Sequence, residues 1–110
     1  MNRWLWTGTK PSEVSDMIGE TIKIGDYVLH FTAYSTSIAP KVYEAIGILD
    51  KNRNGDPYIT WGGTNYVKLH CLPVKTRLDG TYFRQKPVYL EDSEKVLKLS
   101  GDQLKRLGIK

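Results

Sequence analysis

The sequence has little of what builds disulfides, metal sites or membrane spans. Cys71 is the single cysteine among 110 residues, so the chain forms no internal disulfide, which is typical of proteins from a reducing cytoplasm. No apolar run approaches the roughly 20 residues that a transmembrane helix needs. The segment 1–10 also lacks the long apolar core of a signal peptide. We therefore expect a cytoplasmic protein that does not contact a membrane.

Residues for catalysis or metal binding are equally scarce. His30 and His70 are the only histidines, and a metal site would need further ligands. His70 and Cys71 are adjacent in a predicted strand, where neighbouring side chains point to opposite faces, so they neither chelate one ion nor form a catalytic pair. No glycine-rich loop opens a helix in the way that phosphate binding requires. We predict a non-enzymatic protein without catalytic residues, metal or cofactor.

Length and charge narrow the class of protein further. A chain of 110 residues has the usual size of one domain, so we predict a single domain over 1–110. Lys and Arg total 16 against 12 acidic residues, which gives a net charge of +4. Such an excess favours anionic partners.

The first 21 residues are predicted to form an N-terminal arm and a short helix. Thr9 is a candidate N-cap, Pro11 falls in the first turn and Gly19 is the predicted stop. The apolar residues of the predicted helical face are Val14, Met17 and Ile18.

Residues 22–90 are predicted to form a β-barrel core, because apolar and polar residues alternate there with the period of a strand. The predicted strands lie within 22–31, 42–50, 58–61, 66–72, 74–78, 81–84 and 88–90. Asn54-Gly55 and Asp79-Gly80 are hairpin dipeptides, whereas 34–41 is a predicted polar loop because Pro40 disfavours a strand. Short strands bury a face only when a sheet closes or stacks, so we predict a small, strongly bent antiparallel barrel.

Residues 91–110 are predicted to form a C-terminal helical segment. Asp92 or Ser93 caps a first turn, and Ser100 with Gln103 three residues later fits a capping box. The first turn carries Val96, Leu97 and Leu99, and the helix after it carries Leu104 and Leu107 at helical spacing. We expect its amphipathic helix to pack against the barrel, with a partner groove or a dimer interface as the alternative.

Two short segments resemble a known class of barrel. Ile24–Val28 (IGDYV), followed by Ile46–Leu49 (IGIL), resembles the opening of small SH3-like barrels, including KOW-type modules, over about residues 22–72. The resemblance implies an SH3-like antiparallel barrel, and the segments 1–21 and 91–110 add the short helices predicted at its two ends. Many such modules bind nucleic acid and others bind peptides, so it implies a fold more than a function.

A second resemblance is to the SH3-like endoribonucleases of toxin–antitoxin systems, through the Gly-Asp strand start and the segment 73–76 (PVKT). In that family a catalytic Arg directly precedes a Pro after the first long loop, whereas this chain reads Pro40-Lys41. A toxin-type ribonuclease is therefore the least favoured alternative, and its activity would depend on Lys41, Thr76 or Arg77. The compact layout is also similar to that of small accessory proteins of tailed phages, which often bind host factors.

The leading functional hypothesis rests on a basic, aromatic sheet face. Alternation within 66–72, 74–78 and 81–84 directs the aliphatic side chains inward. The outward residues are then Lys68, His70, Lys75, Arg77, Tyr82 and Arg84, and the hairpin tip adds Lys51 and Arg53. Cations neutralise phosphates and aromatic rings stack on bases, so this face predicts binding of nucleic acid, DNA or RNA. The alternative of equal weight is a solvated face whose charges maintain solubility.

The tryptophans are the basis of the alternative hypothesis, in which the partner is a protein. Trp61 ends a predicted strand beside Ile59 and is expected in the core. Trp4 and Trp6 share a predicted strand face and are expected to pack on the barrel, with a docking arm as the alternative. In a protein-interaction module, such as a phage-type modulator or inhibitor of a host protein, Trp4, Trp6 and Tyr34 would contact the partner.

Overall fold

The computed structural model describes residues 3–6, 8, 11–34, 37–76 and 85–109, and for 32–34 and 37–40 it describes the backbone alone. The chain is mainly β, as predicted. The elements in chain order are β1 (Trp4–Leu5), β2 (Glu13–Ser15), β3 (Thr21–Lys23), β4 (Tyr27–Tyr34), β5 (Ser37–Leu49), β6 (Tyr58–Ile59), β7 (Asn65–Pro73), β8 (Val88–Leu90), a 3-10 turn (Ser93–Lys95), β9 (Val96–Lys98) and α1 (Gly101–Arg106).

The main sheet has the strand order β1-β7-β5-β4-β9, with β6 and β8 also paired to β7. All of these pairs are antiparallel, and the sheet curls strongly into a half-barrel. β2 and β3 form a separate hairpin in which Val14 lies opposite Ile22. In the described part of the chain, no helix is long and apolar enough to cross a membrane.

β7 has partners along both of its edges. Leu69 lies opposite Ile48 of β5 and also opposite Leu90 of β8. Nearer the start of the strand, Tyr66 lies between β1 and β6. Directly opposite residues in an antiparallel sheet share a face. The residues paired with β7 therefore lie beside its buried side chains on one face of the sheet and beside its outward side chains on the other.

The alternation predicted within 66–72 is confirmed. Val67, Leu69 and Cys71 are at most 1% exposed and belong to the main core cluster. The remaining buried members of that cluster are Trp4, Val14, Ile22, Val28, Ala45, Ile48, Leu90 and Val96. The side chains at even positions of β7 therefore project from the opposite face of the sheet.

The turn predicted at Gly25 and Asp26 is also confirmed. Gly25 has a φ of +98°, a conformation that favours glycine. The Asp26 Oδ2 atom accepts a hydrogen bond from the Lys23 backbone N–H at 2.8 Å. The turn leads directly into β4, as the sequence predicts.

The predicted N-terminal helix is wrong, because the residues of 11–19 form β2 and a turn. The cause is Asp16, whose Oδ1 atom accepts the backbone N–H groups of Ile18 and Glu20 at 3.0 and 2.8 Å. Its Oδ2 atom accepts the backbone N–H of Lys98 in β9 at 2.8 Å. These bonds turn the chain sharply and leave Met17 exposed instead of on a buried helical face.

The polar loop predicted at 34–41 is wrong as well, because β5 starts at Ser37 and runs through Pro40. Pro40 lies opposite Phe31 of β4. Pairing of β5 with β7 begins only at Tyr43. Among the described strands Pro40 therefore has a partner on one edge alone, and such edge positions tolerate the missing N–H group.

The C-terminal helical segment is only partly confirmed. Asp92 caps the 3-10 turn by accepting the Glu94 N–H at 3.0 Å. The chain then becomes extended as β9, in which Val96 lies opposite His30 and Leu97 opposite Leu29. The predicted helical turn at 96–99 is wrong because pairing with the edge of β4 outweighs the local helical spacing.

The capping box at α1 is confirmed. The Ser100 side chain accepts from the Gln103 N–H at 3.3 Å, and the Gln103 side chain accepts from the Ser100 N–H at 2.7 Å. Leu104 of this short helix packs with Val42 and Leu99 in a second buried cluster. The helix thus packs on the sheet, as expected.

The strand predicted at 74–78 is absent from its described part, since Val74 to Thr76 has no strand pairing. The Val74 N–H donates a backbone hydrogen bond to the Val42 carbonyl at 3.0 Å. The remainder of that segment, the Asp79-Gly80 hairpin and the strand at 81–84 lie outside the described residues.

Candidate functional site

The solvent side of β7 carries a cluster of aromatic and charged residues. Tyr66, Lys68 and His70 alternate with the buried residues of the strand. Tyr58 of β6 lies opposite Tyr66, and Tyr89 of β8 lies opposite His70, so both project from the same side. We call this surface the outer face, and it comprises Arg3, Tyr58, Tyr66, Lys68, His70, Tyr89 and Glu91.

Two pairs of stacked rings lie on the outer face. The rings of His70 and Tyr89 have centroids 4.8 Å apart and an interplanar angle of 14°. The rings of Tyr58 and Tyr66 have centroids 5.6 Å apart and an angle of 29°. Tyr89 is half exposed whereas Tyr66 is buried beneath its neighbours. The outer face therefore offers flat, partly solvated rings held in place by cross-strand partners.

A cation lies against each tyrosine of the second pair. The Arg3 guanidinium carbon is 5.0 Å from the centroid of the Tyr66 ring. The Lys68 Nζ atom is 4.5 Å from the centroid of the Tyr58 ring. Both distances are within the range of cation–π attraction, so the positive charges are held beside the rings.

One carboxylate is shared by these two cations. Glu91 Oε1 lies 3.7 Å from an Arg3 nitrogen, and Glu91 Oε2 lies 3.5 Å from Lys68 Nζ. The Tyr66 hydroxyl donates to Glu91 Oε2 at 3.4 Å. The local charge is therefore two positive groups against one negative group, and the cations are only partly neutralised.

The phenol of Tyr58 and the imidazole of His70 occupy different surroundings on the outer face. Burial, with smaller contributions from Tyr89 and Asp50, raises the pKa of Tyr58 above its ordinary value of 10.0. Its phenol is therefore neutral at physiological pH. The buried Nε2 atom of His70 has no hydrogen-bond partner, so stacking on Tyr89 is the contact that positions this ring.

The hairpin tip between β5 and β6 is well ordered by its own hydrogen bonds. Asn52 Oδ1 accepts from the backbone N–H groups of Asn54 and Asp56 at 2.9 and 3.0 Å. The turn predicted at Asn54-Gly55 is confirmed, since Gly55 takes a φ of +85°. In the described chain the segments on either side of it meet at the antiparallel bridge between Lys51 and Pro57, and β6 then pairs with β7 rather than with β5. Lys51 and Arg53 of this tip are exposed.

The structure brings only part of the predicted basic face together. Lys68 and His70 lie side by side along the outer face. Lys75 is exposed on the irregular segment after β7, not on a neighbouring strand. The predicted contacts Arg77, Tyr82 and Arg84 lie outside the described residues.

Sequence reasoning missed most of the partners of Lys68 and His70. Tyr66 was detectable, because it has the same parity as Lys68. Arg3, Tyr58 and Glu91 come from other elements, and only the pairing of β1, β6 and β8 with β7 brings them to this strand. No local spacing in the sequence contains that information.

The residues of the alternative protein-docking set are placed differently. Trp4 is 6% exposed and its indole N–H donates to the Ser15 carbonyl at 2.6 Å, so it belongs to the core. Trp6 is partly buried and packs against the same cluster. Tyr34 ends β4, and its side chain lies outside the described part. Trp61 contradicts the prediction of burial, because it is fully exposed at the turn between β6 and β7.

The residues considered for thiol, metal or ribonuclease chemistry do not belong to the outer face. Burial raises the pKa of the Cys71 thiol to about 12, so it is not a thiolate at neutral pH. Across the described residues no group of three or more His, Cys, Asp or Glu could hold a metal ion. Of the ribonuclease alternative, Lys41 is exposed opposite His30, Thr76 is buried and Arg77 lies outside the described part.

Comparisons of the chain with known protein families, with curated proteins and with solved structures found no match.

Proposed function

We propose that the protein is a non-enzymatic nucleic-acid-binding module that contacts its ligand through the outer face. The observation that carries this proposal is the juxtaposition of stacked rings and cations on the solvent side of one strand. Aromatic platforms beside positive charge are the usual means of binding single strands, because rings stack on bases while cations neutralise phosphates. The ligand is therefore single-stranded DNA or RNA.

A single-stranded ligand is proposed because stacking requires the flat face of a base to contact the flat face of an aromatic ring. In a duplex the flat faces of the bases are covered by neighbouring base pairs, whereas an unpaired base exposes them. Tyr89 presents a half-exposed ring. Lys68 and Arg3 lie beside the second ring pair. Lys51 and Arg53 at the exposed hairpin tip extend the positive charge beyond the rings.

We also infer that the curled sheet is a small barrel of the SH3-like class. The turn at Gly25 and Asp26 supports this inference, since it begins β4 in the way that the resembling barrels begin their first strand. A bulge in the pairing of β5 with β7, between Ala45 and Gly47, adds to the local bending.

The experiment is a fluorescence-anisotropy titration with labelled single-stranded and duplex oligonucleotides over a range of salt concentrations. We expect tighter binding of the single strand and an affinity that falls steeply with salt. Lys68→Gln should weaken binding and lower the salt slope by about 0.7 for the lost phosphate contact. Lys23→Gln is the matched control, because this exposed lysine lies on β3 outside the main sheet. Absence of single-strand binding at low salt would overturn the proposal.

A second candidate function is binding of a host protein, and exposed Trp61 favours it. The turn that carries Trp61 is closed by bonds between Thr60 and Thr64, including Thr60 N–H to the Thr64 carbonyl at 2.9 Å. Gly63 adopts a φ of +82° in this turn. These bonds fix the backbone of the tip, so little backbone freedom is lost on binding, and tryptophan is enriched among interface residues that dominate affinity.

An affinity pull-down from host lysate, with and without nuclease, distinguishes the two candidates. A bound protein that resists nuclease and is lost with Trp61→Ala would favour the interaction module. Capture that nuclease abolishes and that Trp61→Ala leaves unchanged would favour nucleic acid.

A further inference from the structure

The contacts of Glu91 resemble those of a bound anion. Arg3 and Lys68 approach its two carboxylate oxygens at 3.7 and 3.5 Å, and the Tyr66 hydroxyl reaches one of them at 3.4 Å. Arg3 directly precedes β1 and Lys68 lies on β7. Glu91 directly follows β8. Separate strands therefore direct two cations and one hydroxyl donor to a single point.

The carboxylate fits this point loosely. Charge-assisted hydrogen bonds normally measure about 2.7–2.9 Å, and the contacts of Glu91 with Arg3, Lys68 and Tyr66 are all longer than that. The Nε atom of Arg3 is buried and has no hydrogen-bond partner. The donors around Glu91 are thus only partly satisfied, and a larger tetrahedral anion would reach more of them.

The charge and solvent exposure of Arg3, Lys68 and Glu91 are compatible with replacement of the Glu91 carboxylate by another anion. Two positive groups against one carboxylate leave the cluster with an excess of one positive charge. The side chains of Arg3, Lys68 and Glu91 are 28%, 24% and 34% exposed, so solvent and ligand reach them. Ion pairs at this exposure contribute little to stability, so releasing the Glu91 carboxylate from the two cations costs little free energy.

We propose that Arg3, Lys68 and Tyr66 form a phosphate subsite, and that the Glu91 carboxylate fills this subsite until a backbone phosphate of the ligand displaces it. The inference rests on the proposed nucleic-acid function and assigns one place where the backbone is held. Glu91 lowers the affinity, since it must leave before the phosphate binds. Its partial neutralisation of the cluster also opposes nonspecific binding of other anions.

The test compares Glu91→Gln with Glu20→Gln by anisotropy titration with a single-stranded oligonucleotide. Both variants remove one negative charge, but Glu20 is exposed on the turn between β2 and β3. We expect Glu91→Gln to bind roughly five- to tenfold more tightly than Glu20→Gln at low salt, with a salt slope steeper by about 0.7. Glu91→Ala provides a second variant, and circular dichroism verifies that each is folded.

A titration with inorganic phosphate, monitored by NMR, tests the phosphate subsite independently of the proposed nucleic-acid binding. In Glu91→Gln the signals of Arg3, Lys68 and Tyr66 should shift saturably with phosphate, and in the natural chain they should shift much less. Equal gains in oligonucleotide affinity for the Glu91 and Glu20 variants, or weaker binding of both Glu91 variants, would overturn the subsite while leaving the function intact. If no form binds the oligonucleotide, the proposed function fails, and saturable phosphate binding would still support the anion site.

Discussion

The Lys68 ammonium lies 4.5 Å from the centroid of the Tyr58 ring and 3.5 Å from Glu91 Oε2. One side chain of β7 thus connects β6 with the segment that follows β8. It lies at the centre of the outer face, between the Tyr58–Tyr66 pair and the His70–Tyr89 pair. We expect substitutions here to change ligand binding far more than folding, because the core residues of β7 lie on the other side of the sheet.

Tyr89 provides the sharpest test of base stacking. We expect Tyr89→Ala to weaken single-strand binding by about 1–3 kcal/mol, the usual effect of losing one stacked base. Tyr89→Phe keeps the ring and should bind as the natural chain does. Anisotropy titrations of the two variants provide the measurement. If alanine and phenylalanine have the same effect, the ring does not stack on a base.

Asp16 is expected to contribute strongly to stability, because its carboxylate accepts three backbone N–H groups, including that of Lys98 in β9. Asp16→Ala leaves these donors without a partner and should lower the free energy of unfolding by about 2–4 kcal/mol. Urea unfolding measures the loss. Glu20→Ala, at an exposed neighbouring position, should change stability by less than about 0.5 kcal/mol. Similar losses for the two variants would contradict the role of Asp16.

Cys71 should be unreactive in the folded protein. Its thiol is buried with a pKa of about 12, so the reactive thiolate is scarce at neutral pH. We expect iodoacetamide to label it only after denaturation, as mass spectrometry of native and urea-treated samples will show. Rapid stoichiometric labelling of the native chain would show that the strand is not packed as described.

His30 should make stability depend on pH. Burial, with a smaller contribution from Lys95, lowers the pKa of His30 below its ordinary value of 6.5. Between the folded and unfolded pKa values the unfolded chain binds more protons, so stability rises with pH through this window and falls as the pH drops below about 6.5. Urea unfolding on either side of the window should show this loss, and His30→Gln should reduce it. An NMR titration of His30 giving a pKa above 6.5 would contradict the prediction.

The sequence was informative where one strand or one turn decides the structure. Alternation along β7 predicted which of its side chains are buried, and the spacing of Ser100 and Gln103 predicted the capping box. Both signals are local, since side-chain direction in a strand and capping at a helix start depend on neighbouring residues. The mainly β character followed from the same patterns.

The sequence-based predictions are wrong or incomplete where contacts between distant segments determine the structure. The helical spacing near Met17 was overridden because Asp16 bonds to Lys98, which is 82 residues away. The local pattern places Trp61 at the end of a buried strand, but it lies on a turn that the pairing of β6 with β7 holds in solvent. Arg3 and Glu91 reach Lys68 only through sheet register. The outer-face residues that come from elements other than β7 could therefore not be inferred from local spacing; they are Arg3, Tyr58, Tyr89 and Glu91.

The most direct measurement of the central claim is an NMR titration of isotope-labelled protein with a single-stranded oligonucleotide. We predict that the largest shift changes occur in the side chains of the outer face, led by Lys68, His70 and Tyr89, and that signals of α1 change little. Changes confined to α1 and β9, or no saturable change at low salt, would contradict the assignment of the ligand to the outer face.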